Sequence, residues 1–511
     1  MKFLRVAFVL AIALCLTASV YAETQSVKVS GDLTIRGLAR SGYDGRNVTP
    51  KDDGVKDGMT PDTTNMTGGP TPGSGQTFWM STAEIQVDAE LTDNVSTVIR
   101  IFNERDWNVS QKGIAAGDAP GNDGVNFYNE NIDEFNVSLD LAYVTLKNFV
   151  YCPLTVTIGR QDLWFGKGFI VGSNQINNNW VSQEDGWGLN APEYTVQDAF
   201  DSIKAVLDYD PWTITGVWSS VWNNAVHDDD GVDLWGINVG YKFDCYKAEA
   251  EAYWFLKRDR MIPSFSGMSD YGGNDVNTIG IRGSMDPIDC VTLNGEIAGQ
   301  FGSYMANTMQ TVSRSRAAWA LDVSAEYRGL MDCWAWKPKG AVEYILYSGD
   351  NGSVDLPNEQ STYNGWDRMF RGKYDSAIRE WMGTYYANYD YQPRPNNAQV
   401  SADASYTNQS QLIFSGSLQP MDCLTLKGNW NLFWTLEKYS IEDLSVPGGI
   451  PNRDGPNSGF IGQEVDLQAI WDYTEDVSFG LLMAYYMPNY DCYQDGADSA
   501  SDIVGTVKVS F

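Results

Sequence analysis

The chain holds one histidine, so neither a Ser-His-Asp constellation nor a histidine-rich metal site can be assembled from it. Its cysteines contain no Cys-x-x-Cys pair, which removes the usual zinc-thiolate and haem-attachment spacings. With 66 Asp+Glu residues, paired carboxylates occur everywhere, and no single spacing points to acid–base hydrolysis. An EF-hand alignment on Gly231 puts Val226 and Ile237 at the first and last ligand positions, and one on Gly496 puts Tyr493 at the third. These residues imply no metal, no cofactor and no enzyme. What is left is the chemistry of charge. Lys+Arg number 35 and the formal charge is −31, a balance that excludes nucleic acid as a partner because phosphate contacts need clustered Lys and Arg.

The elements that must carry those charges follow from alternation. Trp235, Ile237, Val239, Tyr241 and Phe243 alternate with Gly236, Asn238, Gly240 and Lys242, which is the period of a strand with one apolar and one polar face. Trp319 to Tyr327, Leu424 to Leu436 and Val465 to Tyr473 repeat the pattern. Two architectures use it. A secreted two-sheet protein, of a carbohydrate-binding or hydrolytic kind, turns the polar face to bulk water. A transmembrane barrel turns the apolar face to lipid and the polar face to a wet lumen.

Length, strand ends and connections favour the barrel. The strands run about ten residues, enough to cross a bilayer at a tilt. Aromatic residues gather at their ends, as in Tyr485/Tyr486, Trp471/Tyr473 and Trp334/Trp336. Tight turns such as Asp210-Pro211, Asp286-Pro287 and Gln419-Pro420 alternate with long loops at 41–77, 106–133, 162–199, 349–405 and 440–462. The expectation is an all-β chain, a transmembrane antiparallel β-barrel of about eighteen strands with short periplasmic turns and long extracellular loops. Strand cores run from 26–40 to 502–511, with 134–147, 154–161 and 339–347 among them. The last of them ends on Phe511, which resembles the terminal signature read by barrel-assembly machinery.

Lys2 and Arg5, the apolar run Val6 to Leu16 and the small residues Val20 and Ala22 describe a signal peptide over 1–22, leaving 23–511 as one barrel domain. Export makes disulfides permissible. Five of the remaining cysteines follow Asp, and most fall at short turns; Cys245–Cys290 or Cys290–Cys333 are candidate staples of the rim.

On the polar face, candidates for lining the lumen are Arg36, Arg100, Lys204, Arg282 and Lys427 among the bases, and Glu296, Asp322, Glu326, Glu464 and Asp466 among the acids. Over the whole polar face of the strands, 17 acidic candidates stand against 12 basic ones, a balance suited to neutral or cationic solutes. Loop 162–199 carries Asn174, Gln175, Trp180, Trp187 and Tyr194, good partners for sugar hydroxyls and rings if it folds inward. Loop 349–405 carries a helix-like stretch from Met369 to Met382, a second candidate plug.

Leu154 to Gln161 ends in Gly159-Arg160-Gln161 and leads into Gly166-Lys167-Gly168-Phe169-Ile170-Val171-Gly172, then Phe200-Asp201. With Phe460 to Leu467, and more weakly Trp366-Asp367-Arg368-Met369-Phe370, this resembles the alginate-export porin family. The resemblance implies an outer-membrane barrel whose known member has eighteen strands. It implies a constriction set by Arg160, Gln161 and loop 162–199. Its implied partners are outer-membrane lipid and lipopolysaccharide, the assembly machinery, and a solute or saccharide in the lumen. Two departures bear on the substrate: Phe169 and Asp198 stand where the family usually has Arg. The function expected is passive diffusion of small hydrophilic solutes, neutral or cationic and including saccharides, with dedicated export of an alginate-like polysaccharide as the alternative.

Overall fold

A computed structural model describes residues 26–42, 76–107, 137–174, 191–222, 231–260, 274–304, 314–328, 335–349, 362–381, 407–437, 459–489 and 499–511. The signal-peptide segment, Cys333, Cys492, Trp334, Trp180 and Trp187 lie outside them. The strands are β1 (Ser26–Ser41), β2 (Gln76–Thr92), β3 (Val95–Asp106), β4 (Ser138–Leu146), β5 (Leu154–Gln161), β6 (Phe200–Tyr209), β7 (Trp212–Trp222), β8 (Val232–Lys242), β9 (Glu249–Asp259), β10 (Asn274–Ile288), β11 (Val291–Tyr304), β12 (Arg314–Tyr327), β13 (Lys339–Tyr347), β14 (Thr362–Tyr363), β15 (Gln409–Met421), β16 (Leu424–Trp434), β17 (Phe460–Asp472), β18 (Val477–Pro488) and β19 (Ala500–Ser510).

Apart from the two-residue β14, each strand pairs antiparallel with the next in chain order, β13 passing directly to β15. The last strand returns to the first, with Leu33 opposite Val509 and Arg36 opposite Thr506, and closes an 18-strand barrel. A single closed sheet has no partner sheet, so the two-sheet secreted reading is corrected here.

Period two explains both faces. On β12, Trp319, Val323 and Tyr327 point outward and are exposed, while Arg316, Ala318, Ala320 and Asp322 point inward and are buried. Short turns fall on one rim, at 93–94, 147–153, 210–211, 243–248, 289–290, 422–423 and 473–476, together with residues 335–338, Ser26 and Phe511. In a porin this is the periplasmic rim. Exposed Trp212, Phe243, Trp336, Trp471 and Tyr473 girdle it. Tyr486 is not part of a girdle; it is buried inside, against Phe433.

The Cys245–Cys290 staple is corrected too, since both are free thiols, while Cys333 of the other pairing lies outside the described residues. Cys245 and Cys290 sit on the β8–β9 and β10–β11 turns, which are two strand spacings apart, about 10 Å. A disulfide spans at most about 7 Å between Cα atoms.

Toward the opposite rim the outer wall carries a polar row in cross-strand register. Arg160, Asp201, Ser220, Asp233, Arg258 and Asp275 are successive partners on β5 to β10. Arg160 bonds Asp201 at 3.6 Å, and Arg260 joins Asp275 at 3.1 Å. One pair of residues toward the periplasm, the same wall shows exposed Ile158, Ile203 and Trp235.

The inner face of this half is not uniformly polar. Val217, Leu234, Phe255, Val276, Ile345 and Ile413 point inward and are buried. They form a pad on which chain segments dock from inside the barrel.

Candidate functional site

Three segments line the upper lumen, two from the β5–β6 connection and one from the β13–β15 connection. Residues 162–174 leave Gln161 with a two-faced pattern of their own. Leu163 and Phe165 turn to the wall, Phe165 meeting Phe255 edge-on at 5.0 Å, whereas Asp162 and Trp164 stay exposed. Lys167 donates to Ser324 Oγ at 3.0 Å on the β12 wall. Gly168 adopts φ +75°, a conformation glycine takes without strain, and reverses the chain there.

Residues 362–381 run beside this turn. Gly172 N donates to Phe370 O (2.7 Å), Phe370 N to Ile170 O (2.9 Å) and Gly372 N to Gly168 O (2.9 Å). The two segments cross at Gly172 and Gly372 so closely that a methyl group on Gly372 would lie 2.6 Å from the Gly172 carbonyl carbon. Phe169 stacks on Tyr347 at 5.7 Å and lies beside Trp366 at 6.5 Å. The Arg371 guanidinium covers both Phe169 and Tyr347, at 5.5 and 5.4 Å. Phe169 is therefore a packing residue, and the cation at this place comes from Arg371.

Buried charges pin the segment to the wall. Asp367 accepts from Lys257 at 2.9 and 3.0 Å and lies 4.0 Å from Arg316. Gln300 holds its backbone on both sides, donating to Asp367 O and accepting from Asp367 N. Lys373 bonds Asp322 at 3.0 Å and also Glu343. Burial alone would lower the Lys373 pKa, but Asp375, Asp322 and Glu343 outweigh it and hold the ammonium above its ordinary value. Glu464 accepts from the amides of Ile378 (2.7 Å) and Arg379 (2.8 Å), and Asp466 from that of Ala377 (3.3 Å). The helix expected from Met369 to Met382 is thus corrected. Among its described residues only Arg379–Trp381 is helical, since wall carboxylates and the neighbouring segment take amides that a longer helix would bond internally.

Residues 191–199 cover the inner side of β1 to β3. Pro192–Tyr194 forms a 3-10 turn. Arg40 bonds Glu193 at 2.5 Å and Asp502 at 3.2 Å, Glu104 accepts from Thr195 Oγ1 and Val196 N, and Arg36 lies 4.8 Å over the Tyr194 ring.

The sequence candidates divide as follows. Arg36, Arg100, Gln161, Lys204, Arg282, Glu296, Asp322, Glu326, Lys427, Glu464 and Asp466 face inward, as the strand parity requires. Arg100 bonds Asp140 and lies 3.5 Å from Glu84; Arg282 bonds Glu249 at 2.8 Å and also Glu251. Tyr253 donates to Glu296 at 2.7 Å, and Gln161 donates to the Thr157 and Ser202 carbonyls. Glu326 is half exposed, 3.6 Å from Arg328. Arg160 is the correction: it shares the outer face with Ile158 and cannot form a constriction. The residues missed as site residues are Asp367, Arg371, Lys373 and Trp164. The Trp366-to-Phe370 resemblance was the signal for Asp367, and the mixed charges of the Met369-to-Met382 stretch were the signal for Arg371 and Lys373.

Asp198 gives a pH dependence. Burial pushes its carboxyl up to about 7, and Asp162 and Asp140 add to the rise. An undocked Asp198 ionises near its ordinary value of 3.8, the docked one only near 7. The docked state therefore holds the extra proton between these values, and its stability falls as pH rises through that window. The thermal midpoint in detergent is expected to decline from pH 4 to 7 more steeply in wild type than in Asp198→Asn. Equal slopes would show that Asp198 does not titrate in this way.

No curated protein matches the chain. Among solved structures it is similar to OpdQ of Pseudomonas aeruginosa, at 9% identity and TM-score 0.48, over 96% of this chain and 99% of that one. It is similar also to OccK2 (OpdF) of the same organism, at 10% identity and TM-score 0.48, over 96% and 98%. A BenF-like porin of Pseudomonas fluorescens Pf-5 gives 10% identity and TM-score 0.48, over 96% and 100%. A sequence model described as alginate export matches residues 64–506. With its lipid-facing apolar belt and polar lumen, the chain is an outer-membrane porin and belongs to the alginate export family.

Proposed function

We propose that the barrel passes small neutral or cationic hydrophilic solutes down their gradient, without chemical catalysis. The observation that carries this reading is the pairing of the lumen cations. Arg40, Arg100, Lys257, Arg282 and Lys373 each bond one or more carboxylates. Among the candidate cations, Arg36, Lys204 and Lys427 face the lumen with no ion-pair partner among the described residues, and Arg36 is covered by the Tyr194 ring, which leaves too few for a ladder of cationic sites along a polyanion. The inner segments add a size argument, since they are docked on β6 to β19 and leave their polar edges to the remaining passage. Lipopolysaccharide around the belt and the assembly machinery at the closing strand complete the partners of this reading.

Under a salt gradient in planar bilayers, the reversal potential is expected to show potassium favoured over chloride. Anion preference would overturn this reading, as would block by an acidic oligosaccharide at lower concentration than by a neutral one. Either result would favour the second reading, export of an anionic polysaccharide, which the family membership supports.

A further inference from the structure

Among the described residues of the inner segments, Trp164 is the largest apolar side chain left open to the lumen, at 55% exposure. Its position is fixed from beneath. Methyl groups built on Gly168, Gly172 and Gly372 would lie 2.5, 3.0 and 2.8 Å from its ring atoms, so the indole lies directly on three glycine backbones from two different segments. Its Nε1–H donates to Gly166 O at 3.1 Å, which fixes the rotation of the ring. Any side chain at these glycines would lift it. One face of the indole is thereby spent on the protein, and the rest stands exposed beside polar groups. Asp162, two residues back on the same exposed side, lies within electrostatic reach of Arg100, Tyr143 and Lys204.

We infer that Trp164 is a stacking platform for one ring of a neutral saccharide in transit, with Asp162 accepting from its hydroxyls and Lys204 donating to them. A pyranose has an apolar C–H face that suits an aromatic ring and an equatorial rim of hydroxyls that suits a few convergent polar groups. A cation would also be drawn to an indole face, but Asp162 and Lys204 offer an acceptor and a donor together, which a saccharide's hydroxyls use and a cation does not. This rests on the diffusion reading above and names the solute class for it.

Planar bilayers holding the full chain in potassium chloride test it, with maltotriose as the neutral probe and choline as the cationic one. Maltotriose is expected to reduce the open-channel current. The half-blocking concentration should rise about tenfold in Trp164→Ala and less than about threefold in Trp164→Phe, which keeps a ring face. Should Trp164→Ala fail to fold, Trp164→Leu keeps bulk over the glycines without the ring and is expected to shift the block as the Ala variant would. A conducting wild type that maltotriose does not block overturns the platform alone. So does equal block of wild type and the ring-less variant, or block by choline at lower concentration than by maltotriose. A wild type that does not conduct overturns the diffusion reading and the platform with it.

Discussion

Replacing Asp367 by Ala is expected to free the 362–381 segment from the wall and raise single-channel conductance. Asp367 is almost fully buried, and its two oxygens take the Lys257 ammonium at 2.9 and 3.0 Å with Arg316 beyond at 4.0 Å. Its Oδ1 also accepts from Met369 N at 2.8 Å, which orders the chain turning toward Phe370. Taking one partner from a buried pair costs about 3–5 kcal/mol, because the other charge keeps its desolvation penalty and loses its compensation. At about 1.4 kcal/mol per decade, that shifts the docked-to-released ratio at least about a hundredfold. Release also exposes Arg368, Arg371 and Lys373 to trypsin, so cleavage there in the folded barrel gives a second readout. The compensated pair Lys257→Met with Asp367→Leu should recover part of the docking, since an apolar pair of similar bulk carries no uncompensated charge. Unchanged conductance and unchanged trypsin resistance in Asp367→Ala would show that the pair does not hold the segment.

Lys373→Met is expected to produce the largest change in charge selectivity. The Lys373 ammonium sits among Asp322 at 3.0 Å, Asp375 at 3.4 Å and the bonded Glu343. Without it, three carboxylates share one small volume, and the nearest mobile charge able to compensate them is a cation from solution. The potassium-to-chloride permeability ratio should therefore rise well above that of wild type, with Lys373→Arg close to wild type. Adding Glu343→Gln to Lys373→Met should bring the ratio partly back, and the non-additivity of the two changes measures their coupling. A ratio that stays at the wild-type value in Lys373→Met would place the cluster off the conducting path.

The barrel was legible because period two is a property of side chains along a strand, independent of what the strand packs against. The cores expected at 154–161 and 339–347 coincide with β5 and β13, and that expected at 134–147 contains β4, with its residues 134–136 outside the described ones. Arg160 shows where a motif misled and periodicity would not have. The Gly-Arg-Gln resemblance implied a constriction residue, yet Ile158 two positions earlier is outward, and strand parity carries Arg160 to the same face. The inner segments were not legible in the same way. Residues 362–381 hold their shape through Lys257, Gln300, Asp322, Glu343, Glu464 and the Gly172 crossing, all distant in sequence, so their mixed charges read as helix. Inward apolar residues such as Leu234 and Phe255 were the trace of that docking, since a purely aqueous lumen has no use for them.

The polar row that runs outside β5 to β10 also sets how high the barrel rides in its membrane. Hydrocarbon cannot cover Arg160, Asp201, Asp233 and Arg258, and the aromatic edge at Phe243 marks the lower limit of the same wall. From Asp233 to Phe243 the chain covers about 24 Å at about 3.4 Å per residue and about 45° of tilt, close to the hydrophobic height usual for such barrels. A thicker bilayer must thin beside these strands or tip the barrel toward them. The arginine that does not narrow the pore instead helps to fix the level at which its outer mouth opens above the lipid.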